Sequence, residues 1–285
     1  MRNIMRADLY RIFRGKGIYI VLAVFLFTLV MQVIFTGGEF GVMVYSETTP
    51  EDYEEIVTVD EESGAIHVEY RRRQVDVTGR EAPGRLVSVT DNIIYFMLPM
   101  LVFILTADFS CSTIKNHFSS GTSRNKYFMA KLTLTATVTA LLSLMYVIIP
   151  IILATLLHGF GGEFDLAFIR KTAAVYLPQF CLVFAFVCIG VFLSFAFKRT
   201  ATLNTLYIVA TLAPMMIIMV LAEINTKFMD LAKYDLVMNI KAFAFGEESG
   251  YFVSADPTRT VILSAVVVLV SLIGGFLLFR KAEIK

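Results

Sequence analysis

Residues 18–35 read IYIVLAVFLFTLVMQVIF, an uninterrupted apolar run from Ile18 to Phe35 without one charged side chain. At about 1.5 Å per residue, a helix of this length covers most of the roughly 30 Å hydrocarbon core of a bilayer. The run exceeds the usual apolar region of a signal peptide, and Gln32 to Gly38 offers no small-x-small cleavage site, so it is read as a retained span. Five further stretches match it: Ile93–Ala107, Leu132–Leu157, Ala173–Phe197, Ala201–Ala222 and Val261–Phe279. Ile93–Ala107 is short, so its helix is expected to run from Leu86 to Phe109, with Asp91 and Asp108 near the two interfaces. Composition agrees, since 57% of the residues are hydrophobic and 17% charged, against about 25% charged in soluble chains. Six such helices with almost no amphipathic partners would leave nothing to face water. The expected fold is an all-α integral membrane protein with six transmembrane helices.

The net charge of +1 hides a segregation of charge. Of the 25 Lys and Arg, 14 fall in segments 1–17, 108–131, 198–200 and 280–285, about 50 residues together, and 11 in the roughly 110 residues of 36–92, 158–172 and 223–260. The positive-inside rule then puts both termini in the cytoplasm and 36–92 and 223–260 outside.

Segment 1–17 is expected to be an interfacial helix. Met5, Leu9, Ile12 and Phe13 fall within roughly 100° on a helical wheel, with Arg6, Arg11 and Arg14 on the opposite side. Anionic membrane lipids would attract its basic residues. In the outer segment 36–92, Ile56–Val59 and Ala65–Tyr70 carry β-favouring residues in partial alternation around Asp60–Gly64, which predicts a small β-hairpin. In 223–260, Phe228, Leu231, Val237 and Ile240 suggest a surface helix.

Candidate chemistry is sparse. His67, His117 and His158 fall in three separate segments, and Cys111, Cys181 and Cys188 have no zinc or disulfide spacing, so no metal site is expected. No phosphate loop, dinucleotide turn or His-Glu-x-x-His helix is present, so no catalytic set, no cofactor held by this chain and no nucleic-acid partner are expected. The polar residues inside the spans are Gln32, Gln179, Asn204 and hydroxyls, with no charge near a midplane. An ion-coupled carrier usually keeps an ionisable group there, so the energy for any transport is expected from elsewhere. Nothing in the spans points to substrate contacts.

Segment 108–131 is the most informative. Thr113–Ser119 can form a short helix that Gly121 would end. Ile114 and Phe118 lie four apart on one face, and Lys115, Arg124 and Lys126 supply positive charge, which suits docking to a soluble partner.

The segment resembles the permease subunits of ABC-2 type exporters, especially the small bacterial ones linked to lantibiotic or bacitracin immunity and peptide export. The resemblance rests on Asp108-Phe109, Thr113–Asn116, Gly121, Ser123-Arg124 and Lys131, and on the exit of the last span, Gly275–Lys281. The family more often has Glu at the position of Asp108 and Gly at that of Ser112. The resemblance implies one domain over 18–285, preceded by the interfacial helix. It implies that Asp108, Ile114, Lys115, Asn116, Phe118, Gly121, Arg124 and Lys126 couple to a separate ABC ATP-binding subunit, and that ATP and Mg are bound and hydrolysed there, so that this chain is not itself an enzyme. A second permease copy or a similar permease would complete the path. The alternative is a non-transporting immunity or sensor protein that binds a peptide through 36–92; a membrane-embedded enzyme is the third reading.

Overall fold

Among the described residues, six helices are long and apolar enough to cross a membrane: Lys16–Ile34, Asn92–Phe109, Arg124–His158, Leu166–Phe197, Thr200–Ile224 and Pro257–Lys281. The computed structural model describes residues 2–37, 53–59, 66–72, 77–86, 90–110, 114, 118–119, 121–245 and 254–281. The chain opens with α1 (Arg2–Arg14), turns at Gly15 and continues as α2 (Lys16–Gly37). β1 (Tyr53–Val59) and β2 (Ile66–Arg72) follow, then a short α3 (Ala82–Leu86). The second span is built from α4 (Asn92–Leu101), a π-helical turn (Val102–Thr106) and a last turn, α5 (Ala107–Ser110). Next come α6 (Arg124–His158), α7 (Leu166–Phe197), α8 (Thr200–Ile224), a 3-10 stretch (Thr226–Tyr234), α9 (Leu236–Phe245) and α10 (Pro257–Lys281). The result is a multi-pass helical membrane protein.

Polar residues at the helix ends set these boundaries. Ser123 caps α6 by accepting from the Lys126 N–H, and Asp165 caps α7 by accepting from the Phe168 N–H. Lys198 takes a left-handed conformation that ends α7 and lets α8 begin two residues later. α7 is the hub: 61% of its apolar window is buried, against 17% for α8 and for α10, whose remaining faces are left for lipid. Gly190 of α7 permits the closest approach. A Cβ there would collide with Leu101 Cδ1 and lie 3.1 Å from the Tyr207 ring, so only glycine lets the second and fifth spans pack this tightly on the hub.

The second span departs from expectation at its start. A continuous helix from Leu86 does not form; α3 ends at Leu86 and α4 starts at Asn92, behind a turn in which the Ile93 N–H donates to Thr90 O. Thr90, Asp91 and Asn92 have short polar side chains that favour turns over helix interiors, which accounts for the break.

At the end of the bundle remote from α1, β1 and β2 pair antiparallel, from Tyr53 opposite Arg72 to Val59 opposite Ile66. The strands extend beyond Ile56–Val59 and Tyr70 on their outer sides, while Ala65 and Asp60–Gly64 lie outside the described residues. Segment 223–260 also differs from a surface helix. Phe228 and Leu231 are exposed on the 3-10 stretch, whereas Val237 and Ile240 belong to α9 and are buried. α9 is held down by Gln179 Nε2, which donates to Ile240 O over 3.3 Å, and by a 3.3 Å ion pair between Lys241 and Asp91.

Candidate functional site: a buried ion cluster beside a π-helical turn

Two carboxylates and two cations meet where α1, the end of the second span and the start of α6 converge. Asp8 faces inward from α1, Asp108 from α5 and Lys131 from α6, and all three are buried. The Lys131 ammonium lies 2.8 Å from Asp8 Oδ2 and 2.5 Å from Asp108 Oδ2, and donates to Ile104 O over 2.8 Å. Its three protons thus have three acceptors. The Arg11 guanidinium pairs with Asp108 Oδ1, lies 3.2 Å from Asp8 Oδ1 and donates to Phe103 O over 3.1 Å. The buried Tyr127 hydroxyl donates to Asp108 Oδ2 over 2.6 Å, and the Lys131 ammonium sits 5.4 Å from the Tyr127 ring centre.

This arrangement meets the two conditions under which charge survives burial: the opposite charges balance, and the polar atoms find partners. Burial nonetheless pushes the Asp8 carboxyl above its ordinary pKa, against the pull of Lys131. The backbone takes part as well. Val102–Thr106 winds as a π-helix just after Pro99, and within this turn the carbonyls of Phe103 and Ile104 accept from Arg11 and Lys131. Such single-turn widenings recur at functional sites because they redirect backbone groups.

Next to the cluster lies an aromatic knot. Phe118 packs 5.7 Å from Tyr127 and 6.2 Å from Phe279, and Tyr127 stacks on Phe279 at 5.7 Å. Phe195 reaches Phe279 at 4.7 Å and Phe128 at 5.1 Å. Arg124 binds the last span, donating to Phe279 O over 3.2 Å and also to Arg280 O.

The residues expected to dock a partner therefore separate. Asp108 belongs to the ion cluster. Ile114 is 4% exposed and Phe118 half-buried, so this apolar pair packs on its own chain and does not offer a free face. The reason is local: Tyr127 and Phe279 provide an aromatic surface within reach. Gly121 adopts φ +81° and its N–H donates to Phe118 O, while residues 113 and 115–117 of the expected short helix lie outside the described residues. Arg124 is occupied by the end of α10, Lys126 is exposed, and Lys115 and Asn116 lie outside the described residues.

The interfacial helix is likewise revised at one position. Arg6 and Arg14 are exposed, but Arg11 turns inward to Asp108 and is not part of a solvated polar face. Met5, Leu9 and Ile12 are half-buried, Leu9 and Ile12 packing on the main hydrophobic core, and Phe13 is exposed. Ile4, Asp8 and Arg11 share that packed face. Sequence reasoning missed Asp8, Tyr127 and Lys131 as site residues. A usable signal existed in Lys131, a charge joined directly to an apolar run, and in Asp8 with Arg11 one helical turn apart. Comparison of the chain with protein-family models and with curated proteins gives no match.

Proposed function

We propose that this chain is the membrane-spanning permease subunit of an ATP-driven exporter of the ABC-2 type, working with a separate ATP-binding subunit and a second permease. The observation that carries the reading is the ion cluster, which ties α1, the second span and the third span together directly beside the 108–131 connection. A push on that connection by a soluble partner passes through Phe118, Tyr127 and Phe279 to three helices at once. Support also comes from the six apolar helices, from the basic bias of the α1 end, which favours a cytoplasmic side for it, and from the resemblance in 108–131 and 275–281. The transported molecule would be a peptide or another apolar or amphipathic compound. ATP and Mg would be bound by the partner.

With Ile114 and Phe118 turned inward, Asn125, Lys126 and Met129 are exposed among the described residues of this region and can meet a partner. The test is co-purification of the full chain with the ATPase subunit encoded beside it, together with ATP hydrolysis in nanodiscs. Lys126→Glu is expected to lower association severalfold at unchanged melting temperature, since it inverts a rim charge. Phe118→Ala is expected to lower association and melting temperature together, because it opens the aromatic knot. Failure of any ATPase to associate with the unaltered chain overturns the exporter reading in favour of a peptide-binding immunity or sensor protein.

A further inference from the structure

α1 has two faces. Ile4, Asp8 and Arg11 turn to the bundle, and Leu9 and Ile12 pack on its core. At about 100° per residue, Arg6, Tyr10 and Phe13 stand roughly opposite that face, with Arg14 beside Tyr10, and all four are exposed. The outward face continues onto the start of α2. Lys16 and Tyr19 are exposed there, and the Tyr19 hydroxyl donates to Phe13 O over 2.8 Å, which fastens the two helices at the elbow around Gly15. The Arg14 guanidinium donates to the Tyr10 hydroxyl over 3.1 Å and lies 5.8 Å from its ring centre. Lys16 is also the first residue of the first span, so the elbow lies at a bilayer interface. Tyrosines gather at that level, and Lys and Arg reach the headgroups from it.

Charge singles out the occupant. Among the described residues at this end of the bundle, the carboxylates are Asp8 and Asp108, and both are buried in the ion cluster. Every exposed charge described there is basic. The cluster thus takes up both carboxylates, while Arg6, Arg14 and Lys16 point away from it. A soluble acidic partner would have to reach these cations at headgroup depth, between exposed aromatic rings. Phospholipid phosphates already lie there.

We infer that the α1–α2 elbow binds the headgroup of an anionic phospholipid through Arg14, Lys16 and Arg6, and that this lipid keeps α1 seated on the ion cluster. A guanidinium offers paired N–H donors to two phosphate oxygens, and the lysine adds a point charge. Arg6 and Arg14 belong to α1 and Lys16 to α2, so the three hold one fixed arrangement only while α1 is seated. A ligand that prefers the seated arrangement shifts the population toward it. The inference goes beyond the transport reading and does not rest on it, since lipid binding is a property of this chain alone.

The test follows hydrogen exchange of the α1 amides of the full chain in nanodiscs, one set of phosphatidylcholine and another with part of it replaced by phosphatidylglycerol. Phosphatidylglycerol is expected to slow α1 exchange about fivefold or more, the worth of at least one cation at an anionic surface, and to leave the amides of α7 unchanged. Arg6→Gln combined with Arg14→Gln alters only exposed side chains. It should melt like the unaltered chain in phosphatidylcholine and lose the slowing. Arg199→Gln combined with Lys281→Gln removes as many exposed cations from later spans at the same end, and should retain the slowing. The inference is overturned if phosphatidylglycerol leaves α1 exchange unchanged, or if both double variants lose protection equally, which makes the effect a diffuse attraction of the whole basic end. It is also overturned if soluble polyglutamate slows α1 exchange in phosphatidylcholine nanodiscs and phosphatidylglycerol does not; the face then docks an acidic protein.

Discussion

Lys131 illustrates how a charge is tolerated at a membrane boundary: its protons meet Asp8, Asp108 and Ile104 O, and its ring neighbour Tyr127 hydrogen-bonds the same Asp108. Removing it leaves two buried carboxylates short of one positive charge beside Arg11. Lys131→Met is expected to cost about 3–5 kcal/mol, read as a fall in melting temperature in detergent. Lys131→Met combined with Asp8→Asn should be less damaging than the sum of the two single changes, because the pair restores charge balance. Asp235 gives a second test. It caps α9 through the Met238 N–H at 2.7 Å, and burial raises its pKa. A carboxyl whose folded pKa is raised binds its proton more tightly when folded, so its contribution to stability is largest in acid and falls as pH rises through the folded pKa. Asp235→Asn keeps the cap and removes the ion. Its melting temperature should exceed that of the unaltered chain at neutral pH, with the gap closing in acid; a gap that ignores pH would refute the assignment.

At the scale of elements, the second span depends on a single extra residue per turn. The π-helical turn Val102–Thr106 sets the angle at which α5 presents Asp108 to Arg11 and Lys131. Deleting Val102 removes the extra residue and lets the turn close as ordinary α-helix, so the residues beyond it keep roughly their bearing while the carbonyls of Phe103 and Ile104 lose the wide-turn geometry that aims them at Arg11 and Lys131. The deletion should therefore lower the melting temperature, though by less than Lys131→Met because Asp108 still meets its cations, and α1 should become more accessible to protease. An unchanged melting temperature would mean that the widened turn does not position the cluster. α1 is sensitive because a thirteen-residue helix has little stability alone, and three inward residues, Ile4, Asp8 and Arg11, hold it to the bundle.

Across the whole molecule the six spans alternate in direction, so α1, the 108–131 connection and the end of α10 share one end, and β1, β2, α3 and α9 share the other. The basic bias predicts that the first end is cytoplasmic. After Cys111, Cys181 and Cys188 are replaced by Ala, an impermeant maleimide should label Glu163→Cys in intact cells, and should label Ser119→Cys only once the cells are opened. Labelling of Ser119→Cys in intact cells would invert the topology. The central position of α7 adds a structural consequence: it contacts both its sequence neighbours and α4, α9 and α10, so the far-end layer and the ion-cluster end are joined by one helix.

The number of spans and their approximate bounds were legible in the sequence, because insertion free energy is summed along one segment and needs no knowledge of neighbours. Gly121 as a helix end was an equally local reading, since a left-handed glycine acts within a few residues. Asp108 stood out for its place at the edge of an apolar run. Its partners did not, because Asp8 lies 123 residues from Lys131, and Arg11 lies 97 from Asp108. The inward packing of Ile114 and Phe118 was hidden for the same reason: an apolar pair on a helix face looks alike whether it meets a partner or its own chain. The π-helical turn has no local signature beyond Pro99. Only the packing of three helices decided which charges pair, because a contact between distant segments depends on their relative rotation, which no local stretch of sequence fixes.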